Sequence, residues 1–476
     1  MSNAATTAST ATRSAAIDGR GGFRSQEHET PLTQLRVEGS VPAWLRGSLL
    51  RTGPAKWEIG DQHMRHWFDG LAMLHSFSIE DGSVSYVSRF LGSRAYRAAK
   101  ERGEIAYSEF ATDPCRSLFS RVASLFSPKI SDNANVNLMR LGERFVAMTE
   151  TPLPVEFDSE TLETVGVAYE APGILTTAHP HLDRATGGAL NYAAKLGPRN
   201  SYRFFLVRPD SSKPEVIASL PVRRPAYMHS FGLTERWLVL VEFPYVVNPP
   251  SLALSGRPYI ENYRWKPELG TRFRLVDRAT GEATGPFQTD PFFAFHHVNS
   301  YENGDGVVVD ICVYPDAELV EDLYMERLRA GKPIPNAELR RFRVSPGSGE
   351  IEHERLIDAI ELPRINYGRC SERPYRYVWG NATGESGWIE QIVKADLDER
   401  TRSPWSEPGS FPGEPVFVAA PDANDEDDGV LLSVVFDAHR EASYLLVLDA
   451  RSLDELARAV VPTHIPYGFH GQFARS

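Results

Sequence analysis

The sequence predicts an all-β fold of the β-propeller type, and three observations support this prediction. From Ser48 onward, short apolar runs alternate with polar turns that contain Gly, Asp or Ser, a pattern typical of β-hairpins. Helical periodicity is rare, and no low-complexity linker divides the chain. Strand pairs that repeat over most of 476 residues fit sheets arranged around a central axis. A protein with two separate β domains is the alternative.

The N-terminal segment differs in composition from the rest of the chain. Residues 1–20 are rich in Ala, Ser and Thr, and they lack the basic region and apolar run of a secretory signal. We predict a disordered leader over residues 1–30 and a single β-propeller domain over residues 31–476.

Individual elements of that domain follow in chain order. Strand candidates rich in β-branched and aromatic residues include residues 204–207, 237–241, 306–310 and 430–436. Polar turns are predicted at residues 79–83, 158–161, 183–187, 277–281, 345–349 and 449–452. One inserted helix is predicted over residues 317–330, because helix-forming residues there alternate with apolar ones at helical spacing.

Charge and cysteine content exclude several classes of function. The net charge is -12, from 51 basic and 63 acidic residues, which argues against nucleic acid as a partner. The three cysteines form no C-x-x-C pair, so neither a disulfide framework nor a thiolate zinc site is indicated. A reducing, cytoplasmic location fits this usage best. The most apolar stretch, residues 237–247, is too short to span a bilayer.

Four of the 13 histidines lie at strand-like positions, namely His179, His229, His296 and His470. A lone histidine in an apolar strand is more often a core residue than a ligand. Tens of residues or more separate these four, so only a fold that brings distant strands to one axis can unite them. Four neutral imidazoles would suit iron, copper, nickel or zinc.

Three acidic residues in apolar sequence are candidates for orienting such imidazoles: Glu150, Glu361 and Glu414. Without further context, each of them is more readily interpreted as a surface carboxylate at the end of a strand.

Taken together, these segments resemble the carotenoid cleavage oxygenase family. The resemblance runs from about Val37 to Phe473. It rests on RTGP at 51–54, HWFDG at 66–70, SDNANVN at 131–137, AHPH at 178–181, MHSF at 228–231, FHHVN at 295–299, INY at 365–367, GEPVF at 413–417 and GFHG at 468–471. Thr52 departs from the more usual Asn. The sequence looks closest to the branch of animal carotene oxygenases and retinoid isomerase, although its length is near that of bacterial apocarotenoid and lignostilbene oxygenases.

The resemblance implies a seven-bladed propeller with a cap of loops and helices over an axial Fe(II). It places the metal ligands at His179, His229, His296 and His470, with His181 and His297 as neighbours. It further implies that Glu150, Glu361 and Glu414 orient His229, His296 and His470 respectively, and that His179 has no carboxylate partner. Thr149 matches a residue near the open side of the iron.

The activity implied is an iron-dependent dioxygenase that uses O2 to cleave a C=C bond of a carotenoid or apocarotenoid, giving aldehyde or ketone products. The alternatives are a stilbene cleavage dioxygenase, for which Lys129 is the nearest phenolate-binding candidate, and a retinoid isomerase. A non-catalytic propeller scaffold is the alternative from another class.

The segment from Cys115 to Phe126 combines apolar and basic residues over a helical span. The family takes up lipophilic substrates through such a patch, so peripheral membrane contact is expected here. A helix that packs into the core is the equally favoured alternative.

Overall fold

Seven antiparallel sheets make up the fold of the computed structural model, which describes residues 19–114, 130–197 and 199–475. This arrangement confirms the predicted seven-bladed β-propeller. The four strand candidates predicted from the sequence all lie within observed strands.

We number the sheets as blades 1 to 7. Blade 1 contains Thr33–Gln34, Gly47–Lys56, Leu71–Glu80, Ser83–Phe90 and Gly471–Arg475. Blade 2 contains Asn137–Leu141, Arg144–Met148, Val155–Phe157 and Thr164–Val167. Blade 3 contains Leu175–Thr176, His181–Asp183, Gly188–Lys195, Ser201–Val207 and Glu215–Pro221. Blade 4 contains Gly232–Leu233, Trp237–Glu242, Thr271–Asp277 and Ala283–Thr289.

The remaining blades follow in chain order. Blade 5 contains His297–Asn303, Gly306–Val313, Glu338–Ser345 and Glu350–Asp358. Blade 6 contains Glu361–Arg364, Tyr377–Thr383, Ile389–Asp396 and Thr401–Trp405. Blade 7 contains Arg36–Gly39, Ser410–Pro412, Val416–Ala419, Gly429–Asp437, Ala442–Asp449 and Glu455–Val460. Two small hairpins outside the blades are formed by Glu58–Ile59 with Gln62–His63 and by Tyr245–Val247 with Tyr263–Trp265.

The described helices are short, and all but the first lie in connections between strands. The α-helices of the described residues are Arg94–Arg102, Pro249–Leu254, Glu318–Asp322, Met325–Arg329 and Tyr367–Cys370. The 3-10 helices are Gly19–Phe23, Trp67–Asp69, Ile260–Asn262 and Pro267–Leu269. Within the described ranges, no helix is long and apolar enough to cross a lipid bilayer.

Both ends of the chain close the ring. The C-terminal strand Gly471–Arg475 pairs with Gly47–Lys56 in blade 1. The N-terminal strand Arg36–Gly39 pairs with Glu455–Val460 in blade 7. Because these two blades combine strands from opposite ends of the chain, the ring is complete only when both ends are in place.

The predicted boundary of the N-terminal leader is wrong for residues 19–30. Gly19–Phe23 forms a 3-10 helix, and Phe23 is buried. Its ring makes edge contacts with Trp67, Trp388 and Tyr467 at centroid distances of 6.4, 4.7 and 4.9 Å. This one aromatic anchor holds a segment whose composition otherwise indicates disorder. Residues 1–18 lie outside the described residues.

The helix predicted over residues 317–330 is divided into two short helices. Tyr324 leaves the helical path to form an isolated β-bridge with His66. The backbone N–H of Trp67 donates to the carbonyl of Leu323 at 3.0 Å. This pairing with another part of the chain replaces helical hydrogen bonds at the middle of the predicted helix, and it ties the segment to the centre of the molecule.

Candidate metal centre

Four histidines meet where the inner edges of four blades converge. His179 lies between the two short edge strands of blade 3, and His229 lies shortly before the edge strand of blade 4. His296 immediately precedes the first strand of blade 5, and His470 immediately precedes the closing strand of blade 1. One ring nitrogen from each residue lies within 4.8 Å of the other three. The propeller therefore unites residues that are far apart in sequence.

The remaining three blades each supply one carboxylate. Glu150 follows Arg144–Met148 of blade 2, Glu361 begins the first strand of blade 6, and Glu414 lies between two edge strands of blade 7. Each accepts a hydrogen bond from the Nδ1 atom of one histidine. The pairs are Glu150 with His229 at 2.6 Å, Glu361 with His296 at 2.6 Å and Glu414 with His470 at 2.7 Å. Each blade thus contributes one residue to the centre.

These hydrogen bonds fix the tautomer of three rings, because an imidazole that donates through Nδ1 in its neutral form has a lone pair on Nε2. The Nε2 atoms of His296 and His470 lie 3.2 Å apart. Since both rings donate through Nδ1, neither Nε2 carries a hydrogen that could join them. Burial is also the main cause that lowers the pKa of His470 to about 4, which favours the neutral ring. Two lone pairs facing each other at this distance fit a cation between them.

The three carboxylates have different surroundings. Glu150 also accepts a hydrogen bond from the Tyr227 hydroxyl at 2.6 Å. Glu414 accepts from the backbone N–H of Gly471 at 2.9 Å and forms an ion pair with Arg364 at 2.9 Å. Burial raises the pKa of the Glu414 carboxyl, but the charge of Arg364 and the contact with His470 outweigh burial and leave the pKa at about 2. This carboxylate is therefore ionised throughout the physiological range.

The other sequence-predicted residues lie near the cluster without joining it. His181 interacts with the Tyr367 hydroxyl at 3.0 Å and with the carbonyl of Phe231 at 2.9 Å, and His297 interacts with Ser230 at 2.8 Å. Among the described residues, no carboxylate is hydrogen-bonded to His179, and Thr149 makes no hydrogen bond to the four histidines. Thr149 is half-buried beside Glu150. Lys129 and the segment from Cys115 to Phe126 lie outside the described residues.

An apolar cavity opens directly on the histidine cluster. His229, His296 and His470 form part of its wall. The rest is largely hydrophobic and includes Trp67, Phe68, Phe295, Tyr314, Leu323 and Phe469. The rings of Phe68 and Phe295 lie 6.1 and 5.1 Å from the ring of His229. The chemistry of this wall suits an apolar ligand.

The sequence did not indicate several residues of this centre. Tyr227 and Arg364 act on the supporting carboxylates from other blades, so no local pattern connects them to Glu150 and Glu414. The motif HWFDG contains Trp67 and Phe68, but nothing in the motif indicates that both side chains line the cavity. Phe295 adjoins a ligand in sequence, and that adjacency was the one available signal.

The fold and the site together define a class of protein: a seven-bladed propeller with an axial four-histidine metal site. A family model described as retinal pigment epithelial membrane protein matches residues 23–475. The chain is 35% identical over 512 residues to a mitochondrial carotenoid-cleaving dioxygenase of Macaca fascicularis, which covers 92% of this chain and 91% of that protein. It is 35% identical over 521 residues to a β,β-carotene 15,15′-dioxygenase of Rattus norvegicus, with coverage of 95% and 90%.

Solved structures agree with these sequence matches. Crystal structures of an ACO/RPE65 chimera and of cobalt-substituted Synechocystis ACO each match with a TM-score of 0.84 at 27% identity, covering 96% of this chain and 98% of theirs. The chain belongs to the family described as retinal pigment epithelial membrane protein, which includes these carotenoid-cleaving dioxygenases. The resemblance to carotenoid cleavage oxygenases that the sequence motifs indicated is confirmed.

Proposed function

We propose that this protein is a non-haem Fe(II) dioxygenase that cleaves a C=C bond of a carotenoid or apocarotenoid with O2. One observation carries the proposal: a four-imidazole centre, with carboxylates behind three of its rings, opens directly on an apolar cavity lined by aromatic side chains. The similarity to dioxygenases that act on carotenoids supports the choice of substrate class.

The donor set favours a divalent transition metal, which we propose to be iron. All four donors are imidazole nitrogens, and no thiolate or carboxylate lies among them. When bound, iron supplies the redox chemistry that O2 requires. The protein supplies the fixed tautomers through Glu150, Glu361 and Glu414, for which we propose a positioning role.

The residues around the centre have further tasks in the proposed reaction. The rings of Phe68 and Phe295 hold the polyene beside the cluster and exclude water from it. The reaction balances without an external reductant, because both atoms of O2 enter the two carbonyl products and the cleaved double bond supplies the electrons. No general acid or base is needed. We propose that Thr149, beside Glu150, borders the open side of the centre.

Metal content tests the ligand assignment. Purified protein should contain about one iron per chain, and His296→Ala should lose it, because removing one imidazole breaks the four-nitrogen set. His353→Ala is the matched control, since His353 is an exposed histidine in the same blade. Iron analysis by mass spectrometry gives the readout. A His296→Ala variant that retains its iron would contradict the assignment.

Product analysis tests the substrate class. Incubation with β-apocarotenals under O2 should give aldehydes that mass spectrometry identifies, with atoms of 18O2 in both products. The same protein is incubated with resveratrol and with retinyl esters. Cleavage of resveratrol alone would make the protein a stilbene dioxygenase, and isomerisation of the esters without O2 consumption would make it a retinoid isomerase.

We also propose that the chain is cytoplasmic and contacts the membrane surface through the segment from Cys115 to Phe126, on the strength of its mixed apolar and basic sequence. Cosedimentation with liposomes tests this contact. Leu118→Asp together with Phe119→Asp should reduce the sedimented fraction severalfold, and unchanged sedimentation would contradict it.

A further inference from the structure

One of the three supporting carboxylates shares its charge with a cation, and the other two do not. Both oxygens of Glu414 meet the guanidinium of Arg364, whose Nε lies 2.9 Å from Oε1 and whose Nη2 donates to Oε2 at 3.1 Å. The same Oε1 accepts from Nδ1 of His470 at 2.7 Å. Among the described residues, no arginine or lysine forms an ion pair with Glu150 or Glu361. The third carboxylate is therefore electrostatically distinct.

Neutral donors surround the other two carboxylates. Glu150 accepts from the Tyr227 hydroxyl at 2.6 Å. Glu361 accepts from the backbone N–H of Leu362 and interacts with the Tyr314 hydroxyl. A neutral donor leaves the negative charge of a carboxylate uncompensated, so in both cases that charge acts on the imidazole that the carboxylate supports.

Burial makes this difference in charge effective. Glu414 is 1% exposed, and charges in the protein interior are screened far less than charges in water. Arg51 adds a second guanidinium, which is buried and interacts electrostatically with Glu414. Its Nη2 donates at 3.1 Å to the carbonyl of Phe469, the residue before His470. Two positive charges therefore lie near the one negative charge behind His470.

The charge on a supporting carboxylate changes the ligand in front of it. A carboxylate that accepts from Nδ1 draws that proton towards itself and makes Nε2 a stronger donor to a metal. A guanidinium at the same oxygen takes up part of the negative charge, so Glu414 polarises His470 less. The positive charge of Arg364 also opposes the ferric state more than the ferrous state, because the ferric ion carries one more positive charge.

We propose that Arg364 weakens the donation of His470 to the metal and that its charge favours the ferrous over the ferric state of the centre. The inference rests on the proposed function for the identity of the metal and adds a residue that tunes it. Arg364 is a positioning residue, because it acts through Glu414 and His470 and contacts neither the metal nor the substrate cavity.

Proton NMR of the zinc-loaded chain tests the effect on His470 without iron, since zinc also suits imidazole ligands. The three Nδ1–H protons give exchangeable signals far downfield, and each signal is assigned by the Glu→Gln variant of its carboxylate. In Arg364→Gln, the His470 signal alone should move further downfield, because its hydrogen bond to Glu414 strengthens. Arg364→Lys keeps the positive charge and should largely restore the wild-type position. The proposal is overturned if the signal stays in place in Arg364→Gln, or if Arg364→Lys moves it equally.

The reduction potential of the iron-loaded chain tests the effect on the metal. Arg364→Gln should shift the equilibrium about tenfold towards the ferric state, which for one electron lowers the potential by about 59 mV. Arg274→Gln is the matched control, because Arg274 pairs with buried Glu242 in blade 4, which Arg272 also contacts. A purely structural role of Arg364 would weaken metal binding without changing the potential, so an unchanged potential overturns the proposal. If the chain binds no iron, the proposed function fails and the zinc measurement decides the inference.

Discussion

Each supporting carboxylate acts on one imidazole, but the three are not equivalent. Glu414 is buried and also faces the guanidinium of Arg364, whereas Glu150 shares its oxygen with a tyrosine hydroxyl. Replacing any of the three by Gln should lower metal affinity by about 10- to 100-fold, because a neutral amide oxygen is a weaker acceptor than a carboxylate and makes the imidazole a poorer ligand. Glu414→Gln should have the largest effect, because it also leaves Arg364 without its counter-charge.

Competition with a chelator measures these affinities. Glu352→Gln is the matched control, since Glu352 is exposed on the outer strand of blade 5. Equal affinities in the three variants and the control would show that the carboxylates do not support the ligands.

We predict that His75 makes the free energy of unfolding depend on pH. Its ring is buried and its Nδ1 is 2.8 Å from the Tyr86 hydroxyl. Burial, with a smaller effect from Arg51, lowers the pKa of His75 from 6.5 to about 3. The unfolded chain therefore takes up a proton below pH 6.5 that the folded chain refuses, so the stabilisation is complete above pH 6.5 and is lost as the pH falls towards 3.

The free energy of unfolding should consequently fall by up to about 1.4 kcal/mol per pH unit from this group alone below pH 6.5. In His75→Gln, that part of the pH dependence should be absent. Urea unfolding at pH 7.5 and 5.5 gives the comparison, and exposed His353→Gln should behave like the wild type. If the free energy of unfolding changes equally between the two pH values in the wild type and in His75→Gln, the assignment to His75 is refuted.

Among the elements, the strands could be predicted from local sequence, whereas the divided helix and the ordered N-terminal segment could not. The run at residues 430–436 became part of a buried strand because β-branched and apolar residues fill both faces of it. The prediction of one continuous helix over residues 317–330 was wrong because the β-bridge between Tyr324 and His66 joins parts of the chain that are distant in sequence. The order of the segment around Phe23 was not predicted for the same reason, since the aromatic partners of Phe23 are also distant in sequence. Local propensity cannot register such contacts.

The first of the two short helices and the residue that follows it contribute to the cavity wall through Leu319 and Leu323. Leu323 lies between them, is buried and lines the cavity wall. Leu323→Trp should fill this space and lower polyene binding by at least about tenfold, while the iron content stays unchanged because no ligand is touched. Leu323→Met conserves volume and is the control. Titration with an apocarotenal and iron analysis are the measurements, and unchanged binding in Leu323→Trp would place the substrate elsewhere.

The centre is a property of the whole ring. Each of the seven blades contributes one residue, so the sequence shows seven isolated positions such as His179 and Glu150 with no local spacing rule. Motifs shared with a known family could identify all seven, and the histidines converge as expected. Contacts between blades, such as those of Tyr227 with Glu150 and of Arg364 with Glu414, could not be identified, because they depend on how distant strands are placed beside each other.

We propose that the catalytic domain predicted over residues 31–476 unfolds as one unit, because its ring is closed by strands from both ends. Gly39 lies in one closing strand with φ +86°, and a Cβ there would lie 2.3 Å from the carbonyl oxygen of Leu456. Gly349 has a similar φ of +78°, but a Cβ there would meet nothing within 4 Å. Gly349→Ala should cost only the backbone strain, about 1 kcal/mol. Gly39→Ala should cost about 2 kcal/mol more, because it also separates the paired strands.

Release of the bound metal, compared with loss of β-sheet structure, tests whether the centre depends on the closed ring of blades. Iron release and loss of β-sheet circular dichroism should share one urea midpoint in the wild type, and both should shift together in Gly39→Ala, because His470 immediately precedes the closing strand of blade 1. In Gly349→Ala both midpoints should also shift together, but by only about a third as much as in Gly39→Ala. Iron release at a clearly lower urea concentration than unfolding would mean that the centre opens while the ring is still closed, and that the blades do not act as one unit.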